Sequence, residues 1–307
     1  MDASLDATLI LNQALNQQYF GVSIATFGRY TLLIIMFNMG LALRGQDFTY
    51  LATNPRAVAV GLSGQIIVPP AVALALLMFS PPPELAVGLI LLACCPGAAT
   101  SNFFSYLARG DIALSVVLTA LSGFVVLFTM PLLVNTGLQF VTGAGYDITL
   151  PVWRTMREIL IAVVLPVALG MWIRAYLPER FTTPLRVIAT RISFAFLIVL
   201  VILTFGGIFD ELPRLLMQYG AYAFAMNIAA MVIGYLMGRA GGLTVRQRRT
   251  VTLEIGVQNF LVGMTLALNV LHQPVFVVFP LIYVFAMYVT AFSYIGWCHL
   301  RPVPATQ

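Results

Sequence analysis

Leu92–Thr119 reads LACCPGAATSNFFSYLARGDIALSVVLT. It opens as a membrane helix, breaks at Pro96-Gly97, and past the break sets Thr100, Ser101 and Asn102 at hydrocarbon depth. A second stretch, Thr252–Leu268 (TLEIGVQNFLVGMTLAL), carries Glu254, Gln258 and Asn259 inside another apolar run. Irregular backbone and polar side chains at bilayer depth are tolerated only where they line a cavity or a binding site. The two stretches therefore read as two halves of one site.

The surrounding chain is that of an integral membrane protein. Of its 307 residues 60% are hydrophobic and 9% charged, against about 25% charged in soluble domains. Apolar runs long enough to span, about 20 residues each, fall at about 22–43, 56–79, 84–108, 112–138, 159–177, 187–208, 215–238, 250–271 and 274–298. The expectation is an all-α polytopic membrane protein of about nine transmembrane helices, a single membrane domain over 1–307. Residues 1–20 are too polar to span and show no secretory signal; a short interfacial helix is expected there. All 16 basic residues are arginine and sit in short loops. The net charge of +5 is therefore not a nucleic-acid footprint. With residues 44–55 facing the cytoplasm, twelve arginines fall inside and Arg29, Arg154, Arg157 and Arg214 outside. That bias puts the N-terminus outside and the C-terminus in the cytoplasm. Cys94, Cys95 and Cys298 read as small buried hydrophobes.

The halves look like weak inverted copies. Ser101-Asn102-Phe103 corresponds to Gln258-Asn259-Phe260, and the preceding helices carry Gln65 and Asn227. Matching segments lie five spans apart, which turns one copy upside down; paired interrupted helices in inverted repeats point to a transporter's site.

Glu254 lies in an otherwise uncharged run from Thr250 to His272. An unpaired carboxylate at that depth costs about 2.5–3.5 kcal/mol on insertion scales. It must be protonated, paired with arginine, or bound to a cation, and no arginine falls at matching depth in a neighbouring span. Ser101, Asn102, Ser115 and Thr119 offer neutral oxygens of the kind a hard cation takes. Ser115 and Thr119, four apart, share one helix face; interhelical glue is the alternative reading. Gln65 and Gln258, with carbonyls freed near the second break, could form a second cation site or simply bond each other. The helix restarting near Ala98 presents N–H groups suited to an anion. No Lys or Arg is read at that depth, so dipoles and amides would have to hold it. Nothing matches a hydrolase elbow, a zinc helix or a nucleotide loop, so no enzyme is expected.

These residues resemble the bile acid:sodium symporter family over about 30–298. The landmarks are Ile35-Met36-Phe37-Asn38-Met39-Gly40 ahead of Asp47-Phe48, Gln65 with Pro69, and Cys95-Pro96-Gly97 with Ser101-Asn102. Tyr106-Leu107-Ala108-Arg109-Gly110-Asp111 with Leu114-Ser115, and Glu254-Ile255-Gly256-Val257-Gln258-Asn259, complete them. The resemblance implies a panel domain (about 22–53 and 153–209) and a core domain (about 55–138 and 213–298) in which two discontinuous helices cross. It implies import of an organic anion, such as a bile acid or small carboxylate, with two Na⁺, across a bacterial inner membrane. Carried over, the first Na⁺ site is Ser101, Asn102, Ser115, Thr119 and Glu254. The second is Gln65, Glu254 and Gln258 with the carbonyls of Ile255 and Val257. Ala99, Thr100, Asn259 and Tyr288 are expected around the substrate. Gly97-Ala98-Ala99-Thr100 stands where the family usually has Gly-Gly-Thr-Ala, and Tyr288-Val289 where relatives often carry His-Asn. Both departures fall on the substrate side. The opening helix of the ten-span bacterial form is not evident. Proton coupling or metalloid-oxyanion transport is the alternative within transporters, and a channel or membrane sensor the alternative outside them.

Overall fold

A computed structural model describes residues 18–19, 22–141 and 149–301. The interfacial helix expected over residues 1–20 falls outside the described residues, save Gln18–Tyr19, which pair antiparallel with Val22–Ser23. The rest is helical: α1 Ile24–Ala42, α2 Pro55–Leu77, α3 Pro83–Ala93, α4 Thr100–Leu107, α5 Ile112–Gln139 and α6 Val152–Tyr176. Then come α7 Glu179–Gly207, α8 Leu212–Ala240, α9 Val245–Gly256, α10 Phe260–Asn269 and α11 Val278–Leu300. Seven helices among the described residues are long and apolar enough to cross a membrane. The pairs α3–α4 and α9–α10 are the two interrupted runs. Their breaks meet, with Ala98 N donating to Val257 O (3.1 Å) and Asn259 N to Pro96 O (2.9 Å).

Two groups of helices pack side by side. In the first, α1 lies between α6 and α7. Gly40 and Gly170 let α1 and α6 touch backbone to backbone: a Cβ on Gly40 would collide with Val167 O, and one on Gly170 with Phe37 O. Such small-residue contacts drive helix association where lipid removes the hydrophobic incentive. Within α6 the ladder widens to a π-turn over Leu160–Val164. Pro166 has no N–H to return to Ala162, and the widened turn absorbs that loss. In the second group α8 packs against α2, α9 and α11, and α2 against α5. α7 shows how one helix serves two environments. Ile188, Ile192, Val199 and Ile202 are exposed on one side, and at about 100° per residue Arg186, Thr190, Ser193 and Leu197 share the other.

The chain's end is stapled to the first break's helix by Arg249, which is 3% exposed. It donates to Ala108 O (2.8 Å) at the end of α4 and to Cys298 O (2.9 Å) and Arg301 O at the end of α11. Carbonyls at helix C-termini lack helical partners and carry the negative dipole end, so a buried guanidinium serves both. Arg249→Met should lower unfolding stability by about 1–3 kcal/mol through the unpaired carbonyls. Thermal unfolding in detergent reads this; an unchanged midpoint would contradict it.

Candidate functional site

The meeting of the breaks leaves Glu254 buried, 1% exposed. Its Oε1 accepts hydrogen bonds from Ser101 Oγ (2.6 Å), Ser115 Oγ and Thr119 Oγ1 (3.1 Å), and Thr119 also lies 3.1 Å from Oε2. Asn102 Oδ1 stands 3.4 Å from Thr119 Oγ1. The five residues of the first expected set are thus brought together from α4, α5 and α9. Among the described residues no arginine is hydrogen-bonded to the carboxylate. Gly97 lets the break approach the carboxylate closely: a Cβ there would stand 2.8 Å from Glu254 Oε2, so the carboxylate would have to shift.

The register that assembles this cage is set one turn away. Asp111 caps α5, its Oδ1 accepting from Leu114 N (3.1 Å). Thr250 Oγ1 accepts from Asp111 N (2.9 Å) and donates to Asp111 O (3.0 Å). Thr250 precedes Glu254 by four residues, and Asp111 precedes Ser115 and Thr119 by four and eight. Clamping the first pair therefore brings the second to one level. Tyr50 donates to Asp111 Oδ2 and accepts from Gln247 Nε2 (3.1 Å), which also reaches Asn54 Oδ1 (3.1 Å). Burial, reinforced by the bond to Asp111, pushes the Tyr50 phenol up, so it stays a neutral donor to that carboxylate.

Several carbonyls freed by the breaks are engaged around Gly256 and its neighbours. Gly256 O accepts from Asn227 Nδ2 (2.7 Å) and Tyr283 OH (2.8 Å), and Thr290 donates to Asn227 Oδ1. Ile255 O accepts from Gln258 Nε2 (2.8 Å), and Val257 O from Ala98 N. Gln65 Nε2 lies 3.0 Å from Gln258 Oε1 and 3.4 Å from Cys95 O. With the Gln65 amide turned over, its nitrogen would instead donate to Glu254 O (2.6 Å) and its oxygen accept from Gly97 N (3.3 Å). The second expected set is therefore also gathered, as a hydrogen-bonded cluster with the two glutamines in contact.

The residues expected around a substrate divide. Ala99 and Thr100 line a cavity of about 310 Å³ between α1 and α7 on one side and α4 and α5 on the other. Asn259 is buried as the cap of α10, accepting from Val262 N (3.4 Å). Tyr288 is half-buried and stacks edge-on to Phe104 (5.6 Å). Neither lines that cavity. Arg186, read in the sequence as lying on the cytoplasmic side just before a span, lines this cavity at its cytoplasmic end together with Asn38, Asn102, Thr190 and Ser193. The helix begins at Glu179 rather than at about 187, and Pro184 is accommodated in its opening turns. Arg186 thus stands about 10 Å along the helix at 1.5 Å per residue. The signal available in the sequence was the run Arg186, Thr190, Ser193 at i, i+4 and i+7. At the other end of α1, about 20 Å away along its axis, polar contacts join the two groups. Glu158 accepts from Arg29 (3.0 Å) and Asn269 (3.4 Å), and Arg154 lies 2.8 Å from His272.

Comparison with known proteins places the sequence in a family. The profile of the Sodium Bile acid symporter family matches residues 30–212. A probable chloroplastic sodium/metabolite cotransporter of Arabidopsis thaliana is 30% identical over 79% of this chain, which spans 59% of that protein's length. A sodium-dependent transporter of Bacillus subtilis is 30% identical over 76% of this chain and 71% of its own length. The ileal sodium/bile acid cotransporter of Homo sapiens is 27% identical over 94% of this chain and 82% of its own.

Thr250→Val removes both bonds to Asp111 and should cost about 1–3 kcal/mol, the penalty for orphaned buried groups. The unfolding midpoint measures it, and a variant as stable as the parent would refute the clamp.

Proposed function

Since the chain belongs to the Sodium Bile acid symporter family, a family of transporters and not of enzymes, we propose that it is a secondary transporter. It imports a small organic anion together with sodium. The observation that carries this reading is the carboxylate of Glu254, buried and, among the described residues, hydrogen-bonded only by hydroxyl groups. A sodium ion neutralises it, and Ser101, Ser115 and Thr119 turn their lone pairs to the ion, with Asn102 Oδ1 beside them. All-oxygen donor sets suit hard cations. That relatives are named for sodium supports the choice of ion.

A second sodium enters between Gln65, Gln258 and the carbonyls of Ile255 and Val257. The amides must turn to admit it, and the alternative orientation of Gln65 supports that freedom. The helices α1, α6 and α7 act as the panel and the remainder as the core, with the N-terminus outside and the C-terminus in the cytoplasm of a bacterial cell. The bonds of Glu158 and Arg154 to Asn269 and His272 then close the outer face while the cavity beside Thr100 faces inward. Alternating access consists of rocking panel against core around the fixed breaks. Sodium at Glu254 ties α4, α5 and α9 together and so fixes Ala99 and Thr100 for the anion, with Asn259 and Tyr288 shaping the far side of the break. Two sodium ions with one monoanion carry a net positive charge inward, worth about 2.3 kcal/mol per 100 mV of membrane potential.

Glu254→Gln should abolish sodium-dependent stabilisation and sodium-driven uptake, and Ser115→Ala should raise the half-saturating sodium concentration at least about tenfold, the order of one charge-assisted contact. Melting curves in NaCl against KCl, and uptake of radiolabelled taurocholate into vesicles with and without a sodium gradient, measure both. A Glu254→Gln protein still stabilised by sodium, or uptake that persists in potassium and follows a pH gradient, would reject the proposal.

A further inference from the structure

Arg186 is the one charged side chain lining the 310 Å³ cavity, and among the described residues it has no ion pair or hydrogen bond. It also lines the adjoining cleft of about 600 Å³, whose other charged residues are Arg44, Arg174 and Glu179. Those three are already committed. Arg44 pairs with Glu179 (3.2 Å), and Arg174 donates to Leu41 O and Ala42 O at the end of α1. Arg186 alone stands free, at the doorway where the cationic cleft opens into the inner cavity. Deeper in that cavity two hydroxyls lack any partner: Ser193 Oγ, on a side chain 6% exposed, and Thr100 Oγ1. Ser193 follows Arg186 by seven residues and shares its helix face, while Thr100 opens α4 across the cavity. Buried polar atoms without partners are rare in folded proteins and call for a ligand or water to satisfy them.

We infer that Arg186 is the anion-anchoring and specificity-determining residue of this transporter, holding the carboxylate or sulfonate of the cargo while Ser193 and Thr100 bond its further oxygen atoms. The assignment rests on the transporter reading above and goes beyond it by naming the charge that selects anions. A guanidinium presents a planar fork of donors that fits two carboxylate oxygens at once. Phe103, Phe194 and Leu197 face the remainder of the cavity and suit an apolar body. Because α7 carries Arg186 and α4 carries Thr100, a bound anion bridges the two helix groups, and its departure frees them to move apart. Arg44 and Arg174 raise the local concentration of anions at the doorway without competing for a fixed partner.

The test uses Thr190→Cys, one turn beyond Arg186 on the same face and exposed, in the full chain in detergent and potassium buffer. Its rates of modification by 2-sulfonatoethyl methanethiosulfonate, an anion, and by the trimethylammonium-ethyl reagent, a cation, are compared as a ratio. Adding Arg186→Gln should lower the anion-to-cation ratio roughly tenfold, the scale of one nearby charge in a partly hydrated site, and Arg186→Lys should restore it. A ratio that Arg186→Gln leaves unchanged, or that lysine fails to restore, overturns the assignment. Melting curves in sodium on the Arg186→Gln protein keep the two claims separable. Retained sodium stabilisation with a lost ratio supports both, whereas an unchanged ratio with retained stabilisation removes only the anchor.

Discussion

A carboxylate cannot be left uncompensated in a dry interior, and the fold is arranged around that constraint. Glu254 is enclosed by hydroxyls from two other helices and lies close against the backbone of Gly97. Hydroxyl groups can donate to the carboxylate or turn their lone pairs toward a cation, so the same residues suit the proposed sodium ion as well as its absence. An arginine in their place would have neutralised Glu254 permanently and left nothing to exchange.

The two breaks meet this constraint without leaving polar backbone exposed. Each interrupted helix would strand several N–H and C=O groups in hydrocarbon, a cost of several kcal/mol apiece. Antiparallel pairing at Gly97 and Gln258, the Asn227–Tyr283–Thr290 cluster and the Gln65–Gln258 contact absorb most of them. The outlying clamp between Asp111 and Thr250 does the remaining work of alignment. It sits a helical turn from Glu254, close enough to set the height of Ser115 and Thr119 and far enough to leave the carboxylate itself clear.

Much of this was written in the sequence because it follows short-range rules. A proline and glycine in an apolar run announced the first break, a lone acid and two amides the second, and four-residue spacing put Ser115 and Thr119 on one face. What needed the folded chain was long-range or hid in a boundary. Asn227 was visible as an inward amide, but its partners Tyr283 and Thr290 lie 56 and 63 residues away. Arg186 was missed because Pro178, Arg180 and Pro184 resemble a loop, whereas the helix starts at Glu179 and carries the arginine inward. Asn259 and Tyr288 do not line the cavity beside Thr100, whose wall is supplied by Asn38, Thr190 and Ser193.

The central claim is that Glu254 is ionised while sodium is bound. Infrared difference spectroscopy of the parent protein minus Glu254→Gln, both in saturating sodium, isolates the absorption of that one side chain. The account predicts the paired stretching bands of an ionised carboxylate, and a protonated-carboxyl band in their place would contradict it.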